Sequence, residues 1–247
     1  MLGAAFLVLA LPPALYLLPD IKSAPARAVA VAPTSSQPKR LVDANGTRSQ
    51  ATNLRARFGV EPASLQVRQM ANWVMESGDH GNMSFLVIDK TAAKVFVFNP
   101  AGKLQATAPA LLGEALGDDT APGIGDKPLS QVLPEEKTTP AGRFVAEVGM
   151  STRGEDAVWV DYDAAVSMHR VLKIDQRIKR LASPSPEDNR MSFGCINLPP
   201  QFYEQVLRPT VERGAVIYIL PETRPLRETF AGFYDVESPV KLARAAR

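Results

Sequence analysis

The sequence predicts a mainly β domain with one or two helices, and three observations lead there. From Ser84 the apolar residues fall in short β-branched and aromatic runs, SFLVIDK and then KVFVFNPAGKLQATAPALLG. Turn signals at Lys90-Thr91-Ala92 and Asn99-Pro100-Ala101-Gly102 break these runs into an antiparallel meander. Strand signals resume at RFVAEV, AVWVDY, Ser167 to Ile174 and AVIYIL, whereas only two segments carry helical spacing.

Taken in order, the chain begins with MLGAAFLVLALPPALYLLPD, which has no charge before Asp20. An apolar stretch of roughly 18 residues is near the lower limit for a membrane span, so residues 1–22 read as a signal peptide or a retained membrane anchor. Ala28-Val29-Ala30 offers an A-x-A cleavage site. Residues 23–60 are rich in proline, alanine and serine without a period that could bury a face, the composition of a linker. Within 61–82 an amphipathic helix is expected, because Leu65, Met70, Trp73 and Val74 share a stripe between Pro62 and Gly78.

The strand-rich domain then occupies 83–221. Between Gly113 and Gly142 the sequence has no clear period, and a loop of that length in a compact domain is typically a lid or binding loop. After the lone cysteine, PPQFYEQVLRPTVERG places Phe202, Val206 and Leu207 at helical spacing behind two prolines. Ala215 to Leu220 reads as the last strand, and 222–247 as a tail that wraps the surface or frays.

Composition narrows the function. At 247 residues the chain suits one main domain with appendages. With 28 Lys+Arg against 26 Asp+Glu, and no basic run interleaved with aromatics, it offers nothing to a nucleic acid. Two histidines and a single cysteine make no zinc-like ligand cluster, and no phosphate-binding glycine loop occurs, so neither metal nor cofactor is expected. Membrane contact is expected only through the N-terminal segment.

The chemistry therefore centres on Cys195, in RMSFGCINLPP. In an oxidising compartment a lone cysteine cannot close an internal disulfide, leaving an intermolecular partner, an inert core residue or a functional thiol. A thiol becomes a nucleophile when a neighbouring base or positive charge lowers its pKa from about 8.5. His80, in Ser77-Gly78-Asp79-His80-Gly81, reads as a solvated turn residue; His169 lies on a strand, on the same side as Ser167 and Val171, and is the candidate base. Gly194 gives the backbone dihedrals closed to other residues, and the Gly194 and Cys195 amides are candidate oxyanion donors.

His169 followed by Ser192-Phe193-Gly194-Cys195-Ile196-Asn197 resembles the signature of the L,D-transpeptidase catalytic-domain family, an upstream histidine and then a Ser/Thr-His-Gly-Cys-hydrophobic-Asn/Arg block. Thr139-Pro140-Ala141-Gly142-Arg143-Phe144 resembles that family's approach to a strand, and the likeness runs from about Met83 to Pro221. Two departures stand out: Phe193 replaces the motif histidine, and the spacing from His169 to Cys195 is enlarged by the segment RLASPSPEDNR, 180–190.

The resemblance implies a β-sandwich, export to the periplasm or cell envelope, attachment to the inner membrane where the anchor is retained, and peptidoglycan stem peptides as substrate. It further implies that Cys195, with His169 as base, forms a thioacyl-enzyme with a tetrapeptide stem, releases D-alanine and passes the acyl group to an amine. That amine belongs to a neighbouring stem or to an envelope protein. With water as acceptor the activity becomes that of an L,D-carboxypeptidase or amidase, and Phe193 leaves open a catalytically inactive peptidoglycan-binding envelope protein. Ser192, Phe193, Asn197 and Arg190 are the candidate substrate contacts, Arg190 because a guanidinium suits bidentate carboxylate recognition.

Overall fold

A computed structural model describes residues 54–151 and 154–237. The proposed signal or anchor, most of the linker and the last ten residues lie outside the described residues. Helix α1 spans Leu65–Ser77, followed by strands β1 (Ser84–Asp89), β2 (Lys94–Phe98), β3 (Leu104–Pro109) and β4 (Leu112–Gly113). After the long loop come β5 (Gly142–Val145), β6 (Glu147–Met150), β7 (Asp156–Asp161) and β8 (Val166–Arg170). Helix α2 (Asp175–Leu181) leads to β9 (Arg190–Ser192) and β10 (Ile196–Leu198). Helices α3 (Pro200–Phe202) and α4 (Arg208–Val211) flank a π-helical stretch, Tyr203–Leu207, before β11 (Ala215–Ile219) and α5 (Leu226–Thr229).

The fold is mainly β, as predicted. Strands β3-β2-β1-β11-β5 form one sheet in that order, β10-β8-β7-β6 a second, and β4 with β9 a short third. The meander β1-β2-β3 is antiparallel as its turn signals require, but β1 also pairs with the distant β11 in parallel. That parallel pairing explains why β1 is apolar on both faces rather than alternating: both sides of the strand are covered.

On one face Leu86, Ile88, Val95, Val97, Ile217 and Ile219 meet Val158, Val166, Met168, Ile196 and Leu198 of the second sheet. On the other, Phe85, Val87, Phe96, Phe98, Val216 and Tyr218 receive Val67, Met70, Trp73 and Val74 of α1. The result is three layers: helix, sheet, sheet.

Both expected helices are present. Ser64 caps α1, its hydroxyl accepting from the Val67 N–H, and Gly78 ends it in the left-handed region. The linker and tail boundaries do not coincide with the edges of the packing. Phe58 is buried edge-on against Phe98, and Arg57 bridges to Lys103, so the end of the 23–60 segment belongs to the fold. Leu226, Phe230 and Val236 of the expected tail are buried in the α1-facing cluster.

The strand expected to run to Ile174 ends at Arg170, and the surface helix α2 follows. Its only buried side chain is Leu181, so it lacks the apolar stripe that reveals a helix in a sequence. No helix among the described residues is long and apolar enough to cross a membrane.

The long loop from Gly113 to Gly142 is organised by three 3-10 turns and a buried ion cluster rather than by strands or helices. Lys90, with no exposed side-chain surface, donates to Asp118 at 2.7 Å and to the Thr139 carbonyl at 2.9 Å. Glu222 lies 3.4 Å from the same ammonium and is also paired with Arg190. Four charges, from the turn after β1, the loop, β9 and the C-terminal segment, thus neutralise one another out of water.

Candidate active site

Strand β8 presents the site. Val166 and Met168 alternate into the core between the sheets, which turns Ser167 and His169 to the opposite face. Strand β10 runs parallel beside it, with Asn197 in register with His169 and Ile196 with Met168. Cys195 immediately precedes β10, and this register brings it to His169.

The thiol and imidazole are close enough that each changes the other's protonation. Burial alone would push the Cys195 thiol up, but the His169 ring and donors on Ser167 outweigh it and hold the thiol below its ordinary value. Burial likewise pulls His169 down, while the hydrogen bond and charge of Cys195 and the Arg170 carbonyl carry it up. Both directions favour a thiolate–imidazolium pair.

His169 is oriented by the main chain. Its Nδ1 lies 2.8 Å from the Arg170 carbonyl oxygen, which can only accept, so Nδ1 carries the proton and Nε2 is the basic atom. The arginine at position 170 therefore supplies its carbonyl to the site, while its side chain pairs with Asp156 and Glu204. Asn197 Nδ2 stands 3.4 Å from His169 Nε2 and donates to the Cys195 carbonyl at 3.3 Å. Arg177 fixes which way that amide faces by donating to Asn197 Oδ1 at 2.8 Å.

The Cys195 loop is held from beneath. Gly194 has φ 124°, and a Cβ there would lie 2.7 Å from the Thr138 carbonyl oxygen. Thr139 Oγ1 accepts from the Gly113 N–H and donates to the Gly194 carbonyl, at 2.8 and 2.9 Å. Ser192 Oγ accepts from the Gly194 N–H at 3.1 Å and donates to the Cys195 carbonyl at 2.6 Å. The Gly194 amide, expected as an oxyanion donor, is thus engaged within the loop and would have to exchange Ser192 for an oxyanion.

The expected substrate contacts divide. Phe193 is exposed, with the Lys137 ammonium 4.8 Å from its ring centroid and Lys137 in turn paired with Glu114. Ser192 and Asn197 are buried and engaged under the site. Arg190 lines a cleft of about 400 Å³ with Thr91, Glu114, Leu116 and Glu222; the carboxylate it holds is Glu222's, and a stem carboxylate would have to displace it. His80 is not a solvated turn residue: it is buried, its ring edge-on to Phe85 and its Nε2 3.1 Å from the Pro100 carbonyl.

Three residues not anticipated from the sequence complete the site. Ser167 Oγ lies 3.7 Å from Cys195 Sγ, and the Ala165 carbonyl accepts from the thiol at 3.6 Å. Ala165 adopts φ 53° in the turn before β8, a conformation that costs an alanine about 1 kcal/mol. Arg177 reaches in from α2. The available signals were the strand alternation, which put Ser167 on the face of His169, and nothing at all for Arg177.

No protein-family model matches the sequence, and no curated protein matches it. Solved structures similar to the chain include an L,D-transpeptidase in complex with imipenem, at 19% identity and TM-score 0.33 over 56% of this chain and 58% of that one. The catalytic domain of an L,D-transpeptidase from E. faecium aligns at 17% identity and TM-score 0.33, over 56% of this chain and 98% of that one. The helical cell shape determining protein Pgp2 of Campylobacter jejuni aligns at 15% identity and TM-score 0.39, over 63% of this chain and 56% of that one. The alignment thus spans little more than half the length of the first and third of these proteins.

Proposed function

We propose that the chain is a cysteine acyltransferase of the L,D-transpeptidase type, acting on peptidoglycan stem peptides. The observation that carries this reading is the juxtaposition of Cys195 and His169 by the parallel β8–β10 register, with Nδ1 anchored on the Arg170 carbonyl so that Nε2 is the base. The sequence block around Cys195 and the upstream His169 supply the substrate class by resemblance.

In this scheme the thiol proton passes to His169 Nε2 and Sγ attacks the carbonyl carbon of the third, diaminopimelate-type residue of a tetrapeptide stem. The tetrahedral intermediate collapses with cleavage of the C–N bond, and the imidazolium gives its proton to the departing D-alanine amine. An amine then attacks the thioester carbonyl, His169 takes its proton, and the C–S bond breaks to return the sulfur. The reading requires export, for which the apolar segment 1–22 is the provision in the sequence.

The test is direct. Incubated with a carbapenem or a stem tetrapeptide, the purified protein is expected to gain one covalent adduct by intact mass, and Cys195→Ala none. A protein with its thiol reduced that gains no adduct from either compound would overturn the acyl-enzyme.

A further inference from the structure

The sulfur of Cys195 is bracketed by groups that serve its two protonation states differently. A neutral thiol has one proton to give, and the Ala165 carbonyl at 3.6 Å accepts it. A thiolate has none; the carbonyl then offers it nothing, and only donors can hold it. The hydroxyl of Ser167, 3.7 Å from the sulfur, is such a donor. Ser167 and His169 lie two positions apart on β8, so one strand face carries both. Ser167 is itself buried, which strengthens a hydrogen bond to an anion there.

We propose that Ser167 is a catalytic residue of this site, its hydroxyl donating to the Cys195 thiolate once the proton of the thiol has moved to His169. The inference rests on the acyltransferase reading given above and adds to it the group that holds the anion. Only one proton changes place, from Cys195 Sγ to His169 Nε2; Ser167 keeps its own. On acylation the sulfur gains a bond to carbon, loses its charge and becomes a poor acceptor. When the acceptor amine expels it, the electron pair of the C–S bond returns to the sulfur and the hydroxyl is in place to receive it. Ser167 thus favours both the attacking and the departing thiolate.

Because Cys195 is the only cysteine, its alkylation by iodoacetamide can be followed by intact mass without ambiguity. Rates measured from about pH 5 to 10 in the parent protein should rise through an inflection below the roughly 8.5 of a free thiol. In Ser167→Ala the inflection should move upward, with the rate at about pH 6.5 falling threefold to tenfold and the limiting rate at high pH unchanged. Ser167→Thr, which keeps the hydroxyl, should follow the parent.

A Ser167→Ala profile superimposed on the parent would overturn the proposal. So would equal losses in Ser167→Ala and Ser167→Thr at every pH. His169→Ala separates the two readings: an unmoved profile there sinks the dyad whatever Ser167 does, and a moved one with Ser167→Ala unaltered sinks Ser167 alone.

Discussion

Gly194 shows how little room the Cys195 loop has. Its φ of 124° is closed to other residues, and the nearest atom to an added Cβ is main-chain oxygen at 2.7 Å, which cannot swing aside as a side chain would. Gly194→Ala should therefore shift the Cys195 loop off β8. The expected result is a fall in alkylation at neutral pH of about tenfold or more, together with a lower melting temperature. A variant that alkylates like the parent would show that the loop tolerates a different backbone. At this scale Cys195, His169 and Gly194 stood out in the sequence as candidates because their residue types announce their chemistry. Ser167 and Thr139 were not, since hydroxyls are common and only their partners single these two out. For Ser167 the partner is the sulfur at 3.7 Å, and for Thr139 the Gly194 carbonyl at 2.9 Å.

The elements around the site are tied together by the Lys90 cluster. Burial pushes the Asp118 carboxyl up, yet hydrogen bonds from Lys90, from the Thr223 hydroxyl and from the Glu222 and Thr223 amides prevail and hold it well below the usual carboxylate range. A folded-state value below the unfolded one contributes stability that is fully present above the unfolded pKa of about 3.9 and is lost as pH falls toward the folded one. Asp118→Asn should therefore be less stable than the parent at neutral pH, by about 3 kcal/mol for a broken buried pair. The gap between their melting temperatures should narrow below about pH 4. A gap that stays constant down to pH 3 would mean that Asp118 contributes shape rather than charge. The cluster could not be read from the sequence, because its four charges are spread from Lys90 to Glu222 and each looks like an ordinary surface residue. Strand β1, by contrast, was visible from its unbroken apolar run.

For the whole molecule the decisive feature is the double coverage of the five-stranded sheet. Removing residues 222–247 would strip Leu226, Phe230 and Val236 from the α1-facing layer and Glu222 from the ion cluster. Three buried apolar side chains are worth about 5 kcal/mol together, comparable with the whole stability of many domains. The truncated protein is thus expected to lose its cooperative thermal transition by far-UV circular dichroism; a transition within a few degrees of the parent would contradict this. The sequence by itself determined the mainly β class and the two helices, and it singled out Cys195 and His169 as candidate thiol and base, because periodicity and residue chemistry are local properties. Only the tertiary structure decided that β1 and β11 pair in parallel, that the C-terminal segment closes the core, and that Ser167, Arg177 and Asn197 gather at Cys195 and His169. Those outcomes depend on which distant strands and charges exclude water together, and no single window of sequence contains both partners.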